Sequence, residues 1–234
     1  MKKVCGNQMN SPDNRFLIVI TVACLGLLPV PDAGADQGNP EGYTLNAQLL
    51  AGARAGDAAM VRRVIEKGAA VDSRNRGGNT ALLIFTERGD VDVVRYLLAH
   101  GANVNLPNLE KVTPLMAASY SGYPQLVRVF LDNGASVDSV DQVFKTAMVY
   151  AAGAGHSDVV EILLDAGVDV NQRYHHQLTA MMWAAGYGKA DTVQLLLDRG
   201  ADPQLRDDRG KTALDIARET GHADVADLLG ATQQ

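Results

Sequence analysis

Cysteine is almost missing from this chain, with Cys5 and Cys24 the two examples in 234 residues. Two thiols cannot staple a disulfide scaffold or supply a four-thiolate zinc site. Aromatic residues are scarce as well, at 5%, with a single tryptophan. An excess of positive charge is also lacking: 21 Lys and Arg face 27 Asp and Glu, a formal net charge of −6. A nucleic-acid binder needs a cationic face to displace phosphate counterions, so this balance argues against that class. What is plentiful points elsewhere. The 47% hydrophobic content excludes a wholly disordered protein, and the length allows one or two domains. With 23 glycines and few rings, small-residue packing and many turns are expected. That favours a repetitive helical architecture over a β-sandwich.

The N-terminus reads as an address. Lys2, Lys3 and Arg15 precede an apolar run from Phe16 to Val30, and Ala33-Gly34-Ala35 offers the small-x-small pattern of a signal peptidase site. Residues 1–35 are therefore expected to be a secretory signal peptide, with 36–43 a short polar linker. Two other fates stay open: an uncleaved anchor, although the run is short for a span, and lipidation at Cys24, where Thr21 departs from the usual pattern. Cleavage after Ala35 would leave a cysteine-free chain of net charge −7, suited to an oxidising compartment such as the periplasm.

One period organises the rest. Thr80, Thr113, Thr146, Thr179 and Thr212 are spaced 33 residues apart. Gly56, Gly89, Gly122, Gly155, Gly188 and Gly221 keep the same step, as do Gly68, Gly101, Gly134, Gly167 and Gly200. Such self-similarity marks an internal repeat. In one unit, Thr113-Pro114 places a capping hydroxyl before a proline at the first helical position. A short helix with Ala117 and Ala118 follows, then a turn at Gly122. A second helix opens at Pro124 and carries Leu126, Val127, Phe130 and Leu131 at helical spacing. Gly134 ends it, and a turn-prone stretch leads to the next Thr. One such hairpin cannot bury its apolar faces alone, so neighbours must stack.

The units resemble ankyrin repeats, on Thr113-Pro114-Leu115-Met116-Ala117-Ala118, Gly155-His156 and Gly200-Ala201-Asp202. The resemblance covers residues 44–230, with units near 44–76, 77–109, 110–142, 143–175, 176–208 and 209–230, and a tail at 231–234. It implies an all-α solenoid of six helix-turn-helix units with protruding, hairpin-like loops. It also implies partner binding through loop tips and the concave side of the first helices, and a likeness to exported bacterial ankyrin-repeat proteins. The family histidine after Thr-Pro-Leu is replaced throughout, by Leu83, Met116, Val149, Met182 and Asp215. The first unit lacks the Thr-Pro-Leu signature, and the last carries Arg218 and Glu219 at apolar positions, as solenoid caps require.

No phosphate loop, nucleophile elbow or zinc-protease signature occurs. His156 and His222 occupy a structural position at helix starts. His175 and His176 share a loop with Tyr174, but adjacent histidines cannot easily face one ion, so no metal, cofactor or catalysis is expected. Binding residues are expected instead at the middle loop tips, where the family's glycine, kept at Gly78 and Gly210, gives way to Lys111, Phe144 and Gln177. Around them fall Leu109, Val112, Val143, Lys145, Arg173, Tyr174, His175, His176 and Leu178, with Tyr120 and Tyr187 at the ends of first helices. Trp183 and Tyr150 are expected in the core or half-buried. The five loops carry net +4 against −11 for the rest of the mature chain, which suggests a partner acidic on its contact face. A monomer is expected. Alternative readings are a small-ligand or metal-binding periplasmic protein centred on Tyr174, His175 and His176, and a secreted effector acting on a host protein.

Overall fold

The computed structural model describes residues 40–231. The expected signal peptide, the first part of the linker and the last three residues lie outside the described residues. The remainder of the expected linker does not hold, because helix α1 (Pro40–Ala55) begins inside it. Proline's fixed φ suits a first helical turn, and Leu49 and Ala53 anchor the helix by full burial.

Eleven further helices follow: α2 (Ala58–Glu66), α3 (Ala81–Glu87), α4 (Val91–Ala99), α5 (Pro114–Ser121), α6 (Pro124–Asp132), α7 (Ala147–Ala154), α8 (Ser157–Asp165), α9 (Ala180–Gly186), α10 (Ala190–Asp198), α11 (Ala213–Thr220) and α12 (Ala223–Ala231). They pair as six hairpins. First helices pack on first helices (α1, α3, α5, α7, α9, α11), and α4, α6, α8, α10 and α12 pack on one another in a second layer. No strand forms among the described residues. The two-layer stack is the expected all-α solenoid.

Local chemistry sets the boundaries. The hydroxyls of Thr80, Thr113, Thr146, Thr179 and Thr212 each accept from the backbone N–H three residues on, capping five first helices in one way. Where the family histidine is replaced, Leu83, Met116, Val149 and Met182 are buried. The charged replacement is used differently: the Asp215 carboxylate accepts from the Thr212 backbone N–H and hydroxyl, closing a capping box on α11. Gly122 shows why a glycine ends α5. Its φ is 67°, and an added Cβ would lie 2.5 Å from the His156 ring of the next unit. The His156 ring nitrogen Nε2 reaches the Tyr120 carbonyl at 2.9 Å, so this histidine ties one hairpin to the one before it.

The core is a continuous seam between the layers, in which Phe85, Leu97, Leu126, Phe130, Leu163 and Leu196 are fully enclosed. Each such side chain contributes about 1.5–3 kcal/mol by leaving water. At the C-terminal cap, Arg218 and Glu219 are exposed.

A candidate protein-interaction face

The loops between hairpins share one construction, set by an Asx residue at the same place in four of five. The Oδ1 atoms of Asn75, Asn108, Asp141 and Asp207 each accept two backbone N–H groups, at the second and fourth residues beyond. This clamp tightens a hairpin-like turn in which the residue three places on has a left-handed backbone. Gly78 and Gly210 fill that place in the outer loops, at φ 77° and 78°. Lys111, Phe144 and Gln177 fill it in the middle loops, at φ 61°, 61° and 59°. For an L residue this conformation costs roughly 1–2 kcal/mol.

Adjacent tips are stitched by backbone bonds, from Leu109 N–H to the Gly77 carbonyl, from Gln142 to Glu110, and from Asp208 to His176. The loop at 172–178 departs from the pattern. Tyr174 replaces the Asx residue, and the tip forms a single 3-10 turn, His175–Gln177. Its link to the preceding loop is a ring stack, Phe144 on His175, with centroids 4.7 Å apart. His176 packs edge-on against His175 and pairs through Nδ1 with Asp208 at 2.7 Å.

Behind these tips, α5, α7 and α9 present a row of rings. Tyr120 meets Tyr150 edge to face at 5.7 Å, and Trp183 stacks on Tyr187 at 6.1 Å with 11° between planes. The Tyr187 ring lies over Gly153 of α7, where a missing side chain leaves the backbone bare. The Lys145 ammonium sits between, 5.5 Å from the Tyr150 ring and 5.0 Å from the Trp183 ring. Burial lowers the affinity of Lys145 for its proton, partly offset by the nearby Asp141 charge. Burial also raises the Tyr150 phenol, reinforced by its hydrogen bond to Asp141. At the edge of the face, the Glu87 carboxyl is held above its ordinary range by partial desolvation although the residue is exposed, with Arg88 opposing and Glu110 adding to the shift.

The expected binding residues divide. Leu109, Phe144 and Tyr120 are 60%, 55% and 48% exposed, and Val143 and Tyr187 join them on the surface. Lys111, Arg173, His175 and His176 are exposed as well, and Lys145 is half-buried. Three of the expected residues sit deeper than the rest, one of them in the core. Leu178 is 6% exposed and belongs to the core, its apolar side chain packing into the seam between hairpins. Val112, two periods upstream at the equivalent place of its own loop, is half-buried against that core. Tyr174 is half-buried too, its hydroxyl enclosed beside Thr146 because the ring fills space that a short Asx side chain leaves open.

Trp183 is half-buried, within what was expected, and forms part of the face. Tyr150 is buried as expected, but supplies the floor under Lys145. The signal for both was the shared register: positions 117, 150 and 183 lie one period apart on successive first helices. Among the described residues, no group of three or more His, Cys, Asp or Glu side chains could hold a metal ion. No described helix is long and apolar enough to cross a membrane.

A family model for ankyrin repeats in three copies matches residues 49–141 and again 148–233. The chain belongs to the ankyrin-repeat family. No curated protein matches it. Members of this family are generally protein–protein interaction modules and typically lack catalytic activity.

Proposed function

We propose that this chain is a non-catalytic interaction module of the cell envelope, which binds one partner protein through its middle loop tips and the ring-lined side of α5, α7 and α9. The observation that carries the reading is the coincidence of two features in the same units. Left-handed non-glycine residues occupy the middle tips, and exposed aromatic side chains, Tyr120, Phe144 and Tyr187, cluster beside them. Exposed rings flanked by polar residues mark partner surfaces, and Tyr is enriched among residues that carry binding energy. The basic bias of the loops supports a partner that is acidic where it touches. The N-terminal signal pattern supports export, with the periplasm as the compartment.

A cross-linked pull-down from the envelope fraction tests this, comparing the native chain with a Phe144→Asp/Tyr187→Asp double variant. The expected result is a protein recovered by the native chain and lost with the variant, at unchanged helicity. Recovery of the same proteins by both would move the binding surface elsewhere. Recovery of the chain itself from the culture medium, rather than by osmotic shock, would overturn the envelope location.

A further inference from the structure

We propose that Lys145, with Tyr150 and Trp183 beneath it and Tyr187 beside it, receives a carboxylate of the partner, carried next to an apolar side chain that lies on the exposed rings. This rests on the reading of the face as a protein-interaction surface, and names the chemistry it selects.

The argument starts from an incompletely compensated charge. The Lys145 side chain is half-buried, with its ammonium against two ring faces. Cation–π attraction of this kind replaces only part of the lost hydration. Among the described residues, no carboxylate lies within ion-pair distance of this ammonium. The nearby acid is Asp141, and its oxygens are already committed. Oδ1 accepts the backbone N–H groups of Val143 and Lys145 at 2.9 and 2.8 Å, and Oδ2 accepts the Tyr150 hydroxyl. A half-buried cation left in this state gains from an anion that reaches it, through a charge-assisted bond formed where water is already reduced.

The same arrangement rejects the opposite charge. Lys145 occupies the ring faces of Tyr150 and Trp183 on which a partner's Lys or Arg would stack, and repels a second cation there. What stays open lies to either side: Tyr120, about half exposed, and Tyr187, spread over the bare backbone of Gly153. Those surfaces suit an aromatic or branched aliphatic group. An Asp or Glu followed by such a residue, in an extended segment, satisfies both halves at once.

Random peptides displayed on phage and selected against the full chain provide the test. Trp183, the single tryptophan of the chain, reports occupancy directly by fluorescence. Enriched peptides are expected to place Asp or Glu beside Phe, Tyr or Leu, and to perturb Trp183 emission. Lys145→Met should weaken a selected synthetic peptide by about tenfold or more, since one member of a desolvated charge pair is lost, while Lys145→Arg keeps most of the affinity. Amidating the peptide carboxylate should weaken it equally for the native chain and not at all for Lys145→Met. A thermal melt of Lys145→Met at or above the native midpoint establishes that it folds. Selected peptides that are basic, or that bind Lys145→Met as tightly, overturn this inference and leave the interaction reading standing. Failure of any peptide to perturb Trp183 overturns both.

Discussion

Single residues at the loop tips work against the stability of their own loops. Lys111 is the cleanest case, an exposed side chain at φ 61° where the outer loops use glycine. Lys111→Gly relieves the left-handed strain at some cost in unfolded-chain entropy, and the expected balance is a gain of about 0.5–1 kcal/mol. In a chain of this size that raises the melting temperature by roughly 2–4 °C per kcal/mol; an unchanged or lower midpoint by calorimetry would mean that the lysine supplies compensating contacts. The reverse substitution is costly at Gly122. Gly122→Ala adds left-handed strain and drives a methyl into the His156 ring that holds the Tyr120 carbonyl, so a loss of about 2–3 kcal/mol is expected in urea melts. Residue identity at these places was legible in the sequence, because the 33-residue register shows where glycine belongs and where it has been replaced. Which way a side chain turns was not. Leu178 and Phe144 are both apolar loop residues, and only the backbone path sends one into the seam and the other out to solvent.

At the scale of elements, the caps and loop clamps decide stability. Thr146 is the N-cap of α7, and Thr146→Ala should cost about 1 kcal/mol. By contrast, Arg199 of the second layer bridges Glu161 at 2.6 Å and Asp165 at 2.9 Å on the surface. Exposed pairs of this kind are screened by water and salt, so Arg199→Ala should leave the melting midpoint nearly unchanged. Asp207 gives the last loop a pH dependence. Burial pushes its carboxyl up, but the Lys211 and Arg209 backbone N–H groups and the Arg209 guanidinium outweigh burial and hold it below the usual range. A depressed folded-state value means stabilisation that is present above about pH 4 and is lost as pH falls through the folded value. Asp207→Asn should therefore be less stable than the native chain at pH 7, with the gap closing in denaturant melts as the pH falls below the ordinary carboxylate range; a gap that stays constant would remove Asp207 from the account. The elements themselves were readable in advance. Thr113-Pro114 and Pro124 mark the starts of α5 and α6 as observed. The start of α1 was missed because Pro40 lies in a polar, Gly- and Pro-bearing stretch that reads equally as linker.

At the scale of the molecule, the repeat lets unlike surfaces be built on like units. Six hairpins bury one seam, while residues at a given register position, on the face or just beneath it, differ from unit to unit. The row at 87, 120 and 153 runs Glu, Tyr, Gly, and the row at 84, 117, 150 and 183 runs Ile, Ala, Tyr, Trp. Aromatic character is thereby confined to the middle units, with Glu87 at one edge and the Lys211–Glu219 ion pair toward the other. Periodicity made the scaffold legible, but it averages over the very differences that make a face, so the grouping of Trp183 and Tyr150 with Tyr120, Tyr187 and Lys145 could not be read from the register alone.

The most direct test is site-specific photo-cross-linking in the native cell envelope, with a benzophenone side chain placed at Tyr187 on the ring-lined face, and separately at Arg128, an exposed residue of α6 in the other layer. The account predicts a discrete adduct from position 187 and none of that mass from position 128. An adduct from position 128 alone would contradict it, and would place partner binding on the second helices.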